Sequence, residues 1–293
     1  MGPIVRLAWI ASLGAAITVA ALVLFVLVTS IRERTATGSQ RLRQLGDIAP
    51  EAWTRLRDKT IFFGHHSVGR NIVQGLEDLA ARHEFLRLNI VKTKEANQMA
   101  GPMLAHASVG ENFHPGSKIA EFKELMENGV AEKVDIAFFK LCFVDLGETS
   151  DPNAILSAYS AAMDALKSRF PKVVFVHVTV PLCGPPKKAT GLLKAGIKRL
   201  LGRPPVLAEN QVRARYNSLL RQRYSGKEPL FDLALYETLG PDGLRHYSLR
   251  SEQEVPVLAR AYTDDGGHLN TTGRKHVAEQ LLIYLVDLTN GAQ

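Results

Sequence analysis

The sequence predicts an α/β protein: a three-layer α/β/α domain on a mostly parallel sheet of five strands, preceded by one membrane-spanning helix. Three observations predict it. Short apolar runs alternate with longer segments of helical period, the pattern of repeated βα units with right-handed crossovers. The run Val134 to Val144 is almost continuously apolar, as a strand covered on both faces requires. Leu7 to Ile31 holds 25 residues without a charge. A bilayer core needs about 20 apolar residues in a helix, whereas a cleavable signal has an apolar region of about 7–15. The spacing therefore divides the chain into an anchor at 1–31, a polar juxtamembrane linker at 32–59 and one domain at 60–289.

Within the domain, Thr60–Gly64 reads as the first strand and Val68–Arg82 as a helix, with Val68, Ile72, Val73, Leu76, Leu79 and Ala80 on one face. Phe85–Val91 alternates as a second strand. Lys92 to Ser117 shows no period and carries Gly101, Pro102, Gly110, Pro115 and Gly116, so it reads as a long functional loop. Lys118–Asn128 is helical, and Val134–Val144 holds the third strand. Asp151 caps a helix to Phe170, with Pro152 in the first helical position. Val173–Val180 is the fourth strand, Asn210–Tyr224 a helix and Leu230–Ala234 a short fifth strand ended by Asp232. A final helix runs to Leu288 from Thr271 or Thr272, with Asn270 as a capping residue.

Composition excludes several classes. Apolar residues make up 46% and charged residues 22%, as in globular chains. Net charge is +7, and six cations without an acid fall between Gly184 and Ala208: Lys187, Lys188, Lys194, Lys198, Arg199 and Arg203. Basicity confined to one insertion argues against a nucleic-acid partner. Inside the insertion, Leu192, Leu193, Ile197, Leu200 and Leu201 share a face at 191–202, so it is either a surface helix or a basic amphipathic helix on anionic lipid. Two cysteines, Cys142 and Cys183, are too few for a disulfide scaffold and lack zinc-site spacing. They are either one disulfide or two reduced thiols.

Two blocks carry the chemistry. Phe62-Phe63-Gly64-His65-His66-Ser67-Val68-Gly69 puts Ser67 on a turn between a strand and a helix. Asp264-Asp265-Gly266-Gly267-His268-Leu269-Asn270 puts a carboxylate three residues before a histidine. A hydroxyl nucleophile needs a base, and the base an acidic partner that fixes its tautomer. In a parallel sheet, loops after the carboxyl ends of strands meet at one edge. Ser67, the 92–117 loop, Asp145, Cys183 and the Asp265–His268 loop can therefore converge. Lys140, within an apolar run, is expected to pair with Asp145, and His65 to be a turn residue.

On these blocks the chain resembles the SGNH, or GDSL-like, hydrolase superfamily over roughly Thr60 to Leu288. The resemblance implies a flavodoxin-like arrangement of the three layers. Gly64-His65-His66-Ser67 stands where that family has Gly-Asp-Ser, so Ser67 matches the nucleophile; Asp265-Gly266-Gly267-His268 matches its Asp-x-x-His, so Asp265 and His268 match acid and base, with Asp264 the second choice. The Ser67 and Gly110 N–H groups are the candidate oxyanion donors. The family's third block falls on Cys142-Phe143-Val144-Asp145, where its asparagine is Val144, and Asn112 is the substitute donor. His66, Lys140 and Asp145 are candidate lining residues.

The resemblance implies a serine esterase without metal or organic cofactor, acting on small acyl esters of carbohydrate or lipid, O-acetyl groups of envelope polysaccharide among them. Acyl transfer to a carbohydrate alcohol uses the same groups. The rivals are a metal-dependent hydrolase on His65, His66, Asp264 and His268, and a non-catalytic polysaccharide-binding or assembly protein on the same fold. Arg32, Arg34, Arg41 and Arg43 after the anchor, against Arg6 before it, favour a cytoplasmic domain by charge alone. The resemblance implies the opposite, a single-pass protein with its domain on the periplasmic side of the inner membrane.

Overall fold

In the computed structural model of the chain, residues 33–35, 41–185, 206–250 and 253–291 are described. The charge-free stretch at 7–31 and the amphipathic segment at 191–202 lie outside them. Among the described residues no helix is long and apolar enough to cross a membrane.

The main sheet has six parallel strands in the order β3-β4-β2-β5-β6-β7: β2 (Thr60–His65), β3 (Ile90–Lys92), β4 (Met103–Ser108), β5 (Ile136–Phe139), β6 (Val174–Val178) and β7 (Leu230–Phe231). Strand alternation sends Ile61, Phe63, Ile136, Phe138, Val176 and Val178 into one core. That core is covered by α1 (Ala52–Arg57), α2 (Val68–Arg82) and α7 (Thr271–Asn290). Phe62, Ala105, Ala107, Ala137, Phe139 and Phe175 face the opposite core, under α3 (Pro115–Leu125), α4 (Pro152–Arg169) and α5 (Val206–Tyr224). The three layers follow from that division.

Among the described residues the sheet has six strands where the sequence suggested five. β4 lies inside the stretch taken for a loop, because Ala105 and Ala107 pack tightly under helices and leave no alternating large residues to signal a strand. The second strand is shorter than expected: Glu84–Leu86 is a 3-10 turn and pairing starts at Ile90. The run to Val144 leaves the sheet at Phe139 and turns into a 3-10 helix at Phe143–Asp145. Asp232 caps α6 (Leu233–Thr238) through Leu235 N and receives both Nε and Nη2 of Arg221. Its carboxylate therefore fixes α5 to the end of β7. Asp151 caps α4 by accepting from Asn153 N and Ala154 N, and Asn270 caps α7 by accepting from Gly273 N.

A second, antiparallel sheet carried no signal in the sequence. In it β1 (Glu33–Thr35) pairs with β8 (His246–Arg250), which pairs with β9 (Gln253–Pro256). Cys142 and Cys183 are both unbonded and buried, and burial pushes the Cys183 thiol up to about 12.

Candidate active site

β2 ends at His65 and α2 starts at Val68, so the chain turns within two residues. Ser67 takes the turn at φ +49°, ψ −107°, a conformation bulky L-residues avoid. Its carbonyl accepts the Arg70 N–H at 2.8 Å and opens the helix. The turn is possible only because residue 69 lacks a side chain: a Cβ there would stand 2.3 Å from His65 Cβ and 3.1 Å from Lys140 Cε. Ser67 thus carries its hydroxyl and N–H at the positive end of a 15-residue helix.

The loop before α7 brings the other two groups. His268 Nε2 stands 2.6 Å from Ser67 Oγ, and His268 Nδ1 stands 2.7 Å from Asp265 Oδ2. The other oxygen of Asp265 accepts the N–H groups of Gly267 (2.9 Å) and His268 (2.8 Å). The His268 hydrogen bond first, then those two backbone donors, hold the Asp265 carboxyl well below the usual carboxylate range. Asp265, and not Asp264, takes His268 Nδ1; Asp264 Oδ1 lies 3.5 Å from Asn270 Nδ2. Chain spacing leaves both acids open, and the tight turn selects Asp265.

Residues outside the two blocks register the loop against the serine. Asn71 Oδ1, one helical turn after Ser67, accepts the Leu269 N–H at 3.2 Å. Gly184 N donates to Gly266 O at 2.8 Å, tying the loop to the end of the β6 connection. The Phe143 ring meets the His268 ring edge-on at 5.7 Å. Arg213, fully buried on α5, donates Nε to Phe143 O at 2.8 Å and sets its guanidinium over that ring at 5.6 Å. The i,i+4 spacing of Ser67 and Asn71 was a readable signal. Phe143 and Arg213 had none, since their contacts join segments 70 residues apart.

Several expectations need correction. The Gly110 N–H is not turned toward Ser67: it donates to Glu121 Oε2 at 2.6 Å. With φ at +66° and its Cα packed on the Lys118 backbone, Gly110 instead presents its carbonyl, at 2.7 Å, to His66 Nε2. Lys140 does not pair with Asp145. The buried partner of Asp145 is Lys118, Nζ to Oδ2 at 2.6 Å with both side chains within 1% of full burial. Lys140 Nζ lies 3.3 Å from Cys142 Sγ and 3.4 Å from Leu141 O. His65 is no turn residue but the last residue of β2, buried with Nε2 at 3.0 Å from His106 Nδ1. Burial, then the Lys140 charge, pushes its pKa down to about 2.

Asp145 lines no open surface. Its Oδ1 accepts Phe113 N (2.9 Å) and its Oδ2 accepts Cys142 N (2.6 Å) as well as Lys118, so it staples the β4 and β5 loops together. Asn112 is exposed, and its Oδ1 is held by Lys118 Nζ at 3.0 Å. His65 Nε2 faces His106, His66 Nε2 faces the Gly110 carbonyl, and the two ring nitrogens of His268 face Ser67 and Asp265. Among the described residues no group of three or more His, Cys, Asp or Glu side chains could hold a metal ion.

No protein-family model matches the sequence, and no curated protein matches it. Solved structures with similar chain traces include a family 3 carbohydrate esterase of Clostridium thermocellum, at 13% identity over 80% of this chain and 98% of that one, TM-score 0.41. The periplasmic domain of a lipopolysaccharide acetyltransferase from Salmonella ser. Paratyphi A aligns at 11% identity over 77% of this chain and 83% of that one, TM-score 0.40. An extracellular lipase of Streptomyces rimosus aligns at 13% identity over 80% of this chain and all of that one, TM-score 0.35. Likenesses this distant carry no weight for chemistry, so function rests on the geometry of this chain's own residues.

Proposed function

We propose that the chain is a serine hydrolase of acyl esters, membrane-anchored through 7–31, with its domain outside the cytoplasm. The observation that carries the chemistry is one continuous hydrogen-bonded line, Ser67 Oγ to His268 Nε2 at 2.6 Å and His268 Nδ1 to Asp265 Oδ2 at 2.7 Å. Asp265 accepts from Nδ1–H and so leaves Nε2 as the acceptor. Ser67 Oγ attacks the acyl carbon as its proton passes to Nε2, which returns it to the leaving alcohol. Water then attacks the acyl-serine, losing a proton to the same nitrogen, which passes it to Ser67 Oγ as the acyl–Oγ bond breaks and the acid leaves. The His268 side chain is 47% exposed, which gives that water its access.

The Ser67 N–H at the head of α2 and the carboxamide NH₂ of Asn112, whose oxygen is taken by Lys118, are the proposed oxyanion donors. The substrates that fit are small acyl groups on an alcohol, acetylated carbohydrate foremost. A fluorophosphonate probe is expected to label the wild-type protein and not Ser67→Ala, and the substitution to lower hydrolysis of p-nitrophenyl acetate by about 10³-fold or more. A folded Ser67→Ala protein with wild-type esterase activity refutes the assignment.

A further inference from the structure

The rim beside Ser67 carries one side chain whose placement the triad does not explain. Phe113 is 70% exposed, among the described residues the most exposed large apolar side chain, and its backbone stands at φ +69°. An aromatic residue in that region is strained. The conformation is imposed from below: the Phe113 N–H is held at 2.9 Å by Asp145 Oδ1, and Asp145 is locked by the buried Lys118 ammonium. Lys118 also grips Asn112, the preceding residue. A Glu111–His114 bridge closes the loop, and Ser117 Oγ both accepts from Glu111 N and donates to His114 O. The ring is thus held out on a braced loop.

Its place is set by short links. Two residues after β4, Gly110 O takes the His66 Nε2 bond next to Ser67. Asp145, which holds Phe113, also holds Cys142, whose Sγ lies 3.7 Å from His66 O. The next residue, Phe143, touches His268. Phe113 therefore stands on the loop that rims the serine, at the carboxyl edge of the sheet.

Resting on the hydrolase reading above, we infer that Phe113 is a stacking platform for the sugar ring of an acylated saccharide, and so a specificity-determining residue. The polarity around it decides between a sugar and an acyl chain. Among the described residues the other exposed large apolar ones, Phe85 and Val174, lie ahead of β3 and at the start of β6, at the opposite edge. An acyl chain needs a contiguous apolar surface to leave water. A single flat ring flanked by the exposed polar residues Glu111, Asn112 and His114 offers none. A pyranose needs just such a mixture. Its positively polarised C–H face lies on the electron-rich aromatic face, and its hydroxyls require donors and acceptors around that ring.

The test uses full-length protein in detergent with two esters, p-nitrophenyl acetate and O-acetylated xylotetraose. Phe113→Leu keeps apolar bulk without a flat face, and Phe113→Trp keeps the face. The ratio of kcat/KM for the saccharide ester to that for the small ester is expected to fall about tenfold in Phe113→Leu, the loss of one aromatic contact, and to stay within about twofold of wild type in Phe113→Trp. In a Ser67→Ala background, calorimetric binding of the acetylated tetrasaccharide is expected to weaken about tenfold on Phe113→Leu. Because binding needs no turnover, it judges the platform even if Ser67→Ala leaves esterase activity intact and the hydrolase reading fails. An unchanged ratio with unchanged binding overturns the inference. So does a loss on p-nitrophenyl octanoate in place of the saccharide, which would make Phe113 an acyl-chain contact.

Discussion

Ser67 is held at φ +49°, ψ −107°, and the cost of that turn can be measured by replacing the residue twice. Ser67→Ala and Ser67→Gly both delete the hydroxyl and its 2.6 Å bond to His268, so that loss cancels between them. What differs is the backbone. Alanine keeps the strain of a sparsely populated region, about 1–3 kcal/mol. Glycine relieves it but adds about 0.4–1 kcal/mol of unfolded-state entropy. At the middle of both ranges the balance favours Ser67→Gly by about 1.3 kcal/mol. A domain of this size shifts about 2–4 °C per kcal/mol, so Ser67→Gly is expected to melt about 3–5 °C above Ser67→Ala, both being inactive. Differential scanning calorimetry on the two variants in one buffer reads it directly. If Ser67→Ala melts as high as Ser67→Gly, the turn stores no strain and the serine is not held in a special conformation.

Further outcomes follow from groups around the site. Lys118→Met leaves the Asp145 carboxylate buried and unpaired; it is expected to cost about 3–5 kcal/mol in chemical denaturation, and less once Asp145→Asn is added. Additive losses in the double variant would show that the pair does not act as one unit. Burial holds His65, His106, His177 and His276 below their ordinary pKa, with His276 at about 4. The folded state therefore takes up fewer protons than the unfolded chain below about pH 6.5. Stability from these groups is present above that pH and is lost as pH falls. Buried Glu237, whose carboxyl is pushed up to about 8, works the other way by holding a proton in the folded state; one carboxyl against four imidazoles still leaves the melting temperature expected to drop between about pH 6.5 and pH 4.5. A flat profile there would mean these rings are not buried in the neutral form.

Much of the fold was legible in the chain. The apolar runs around Thr60–Gly64, Val134–Val144 and Val173–Val180 specify buried parallel strands, because a strand covered on both faces needs no polar alternation. Asp151-Pro152 and Asn270 specify helix starts, because a cap depends on neighbours within three residues. The Asp265–His268 pair was legible for the same local reason, a turn of three residues. β4 was not: in Met103–Ser108, Ala105 and Ala107 are buried in the core under the helices, and alanines carry no strand signal. The pairing of Lys118 with Asp145 was equally hidden, since 27 residues separate them and Lys140 offered a nearer ammonium.

The sequence by itself determined which residue types stand after which strands, and hence that a serine, a histidine and a carboxylate could share one edge of a parallel sheet. Only the tertiary structure decided how they are used. Whether Ser67 Oγ lies within reach of a base 201 residues away depends on how α2 packs against the loop before α7, through Asn71 and Leu269. That Gly110 spends its N–H on Glu121, and that His65 faces His106 instead of the site, depends on side chains arriving from other elements. Local patterns fix conformations over a few residues, where the chain itself carries the partner. The competition for one donor or one charge is settled by packing between segments distant in sequence, and no local pattern records its outcome.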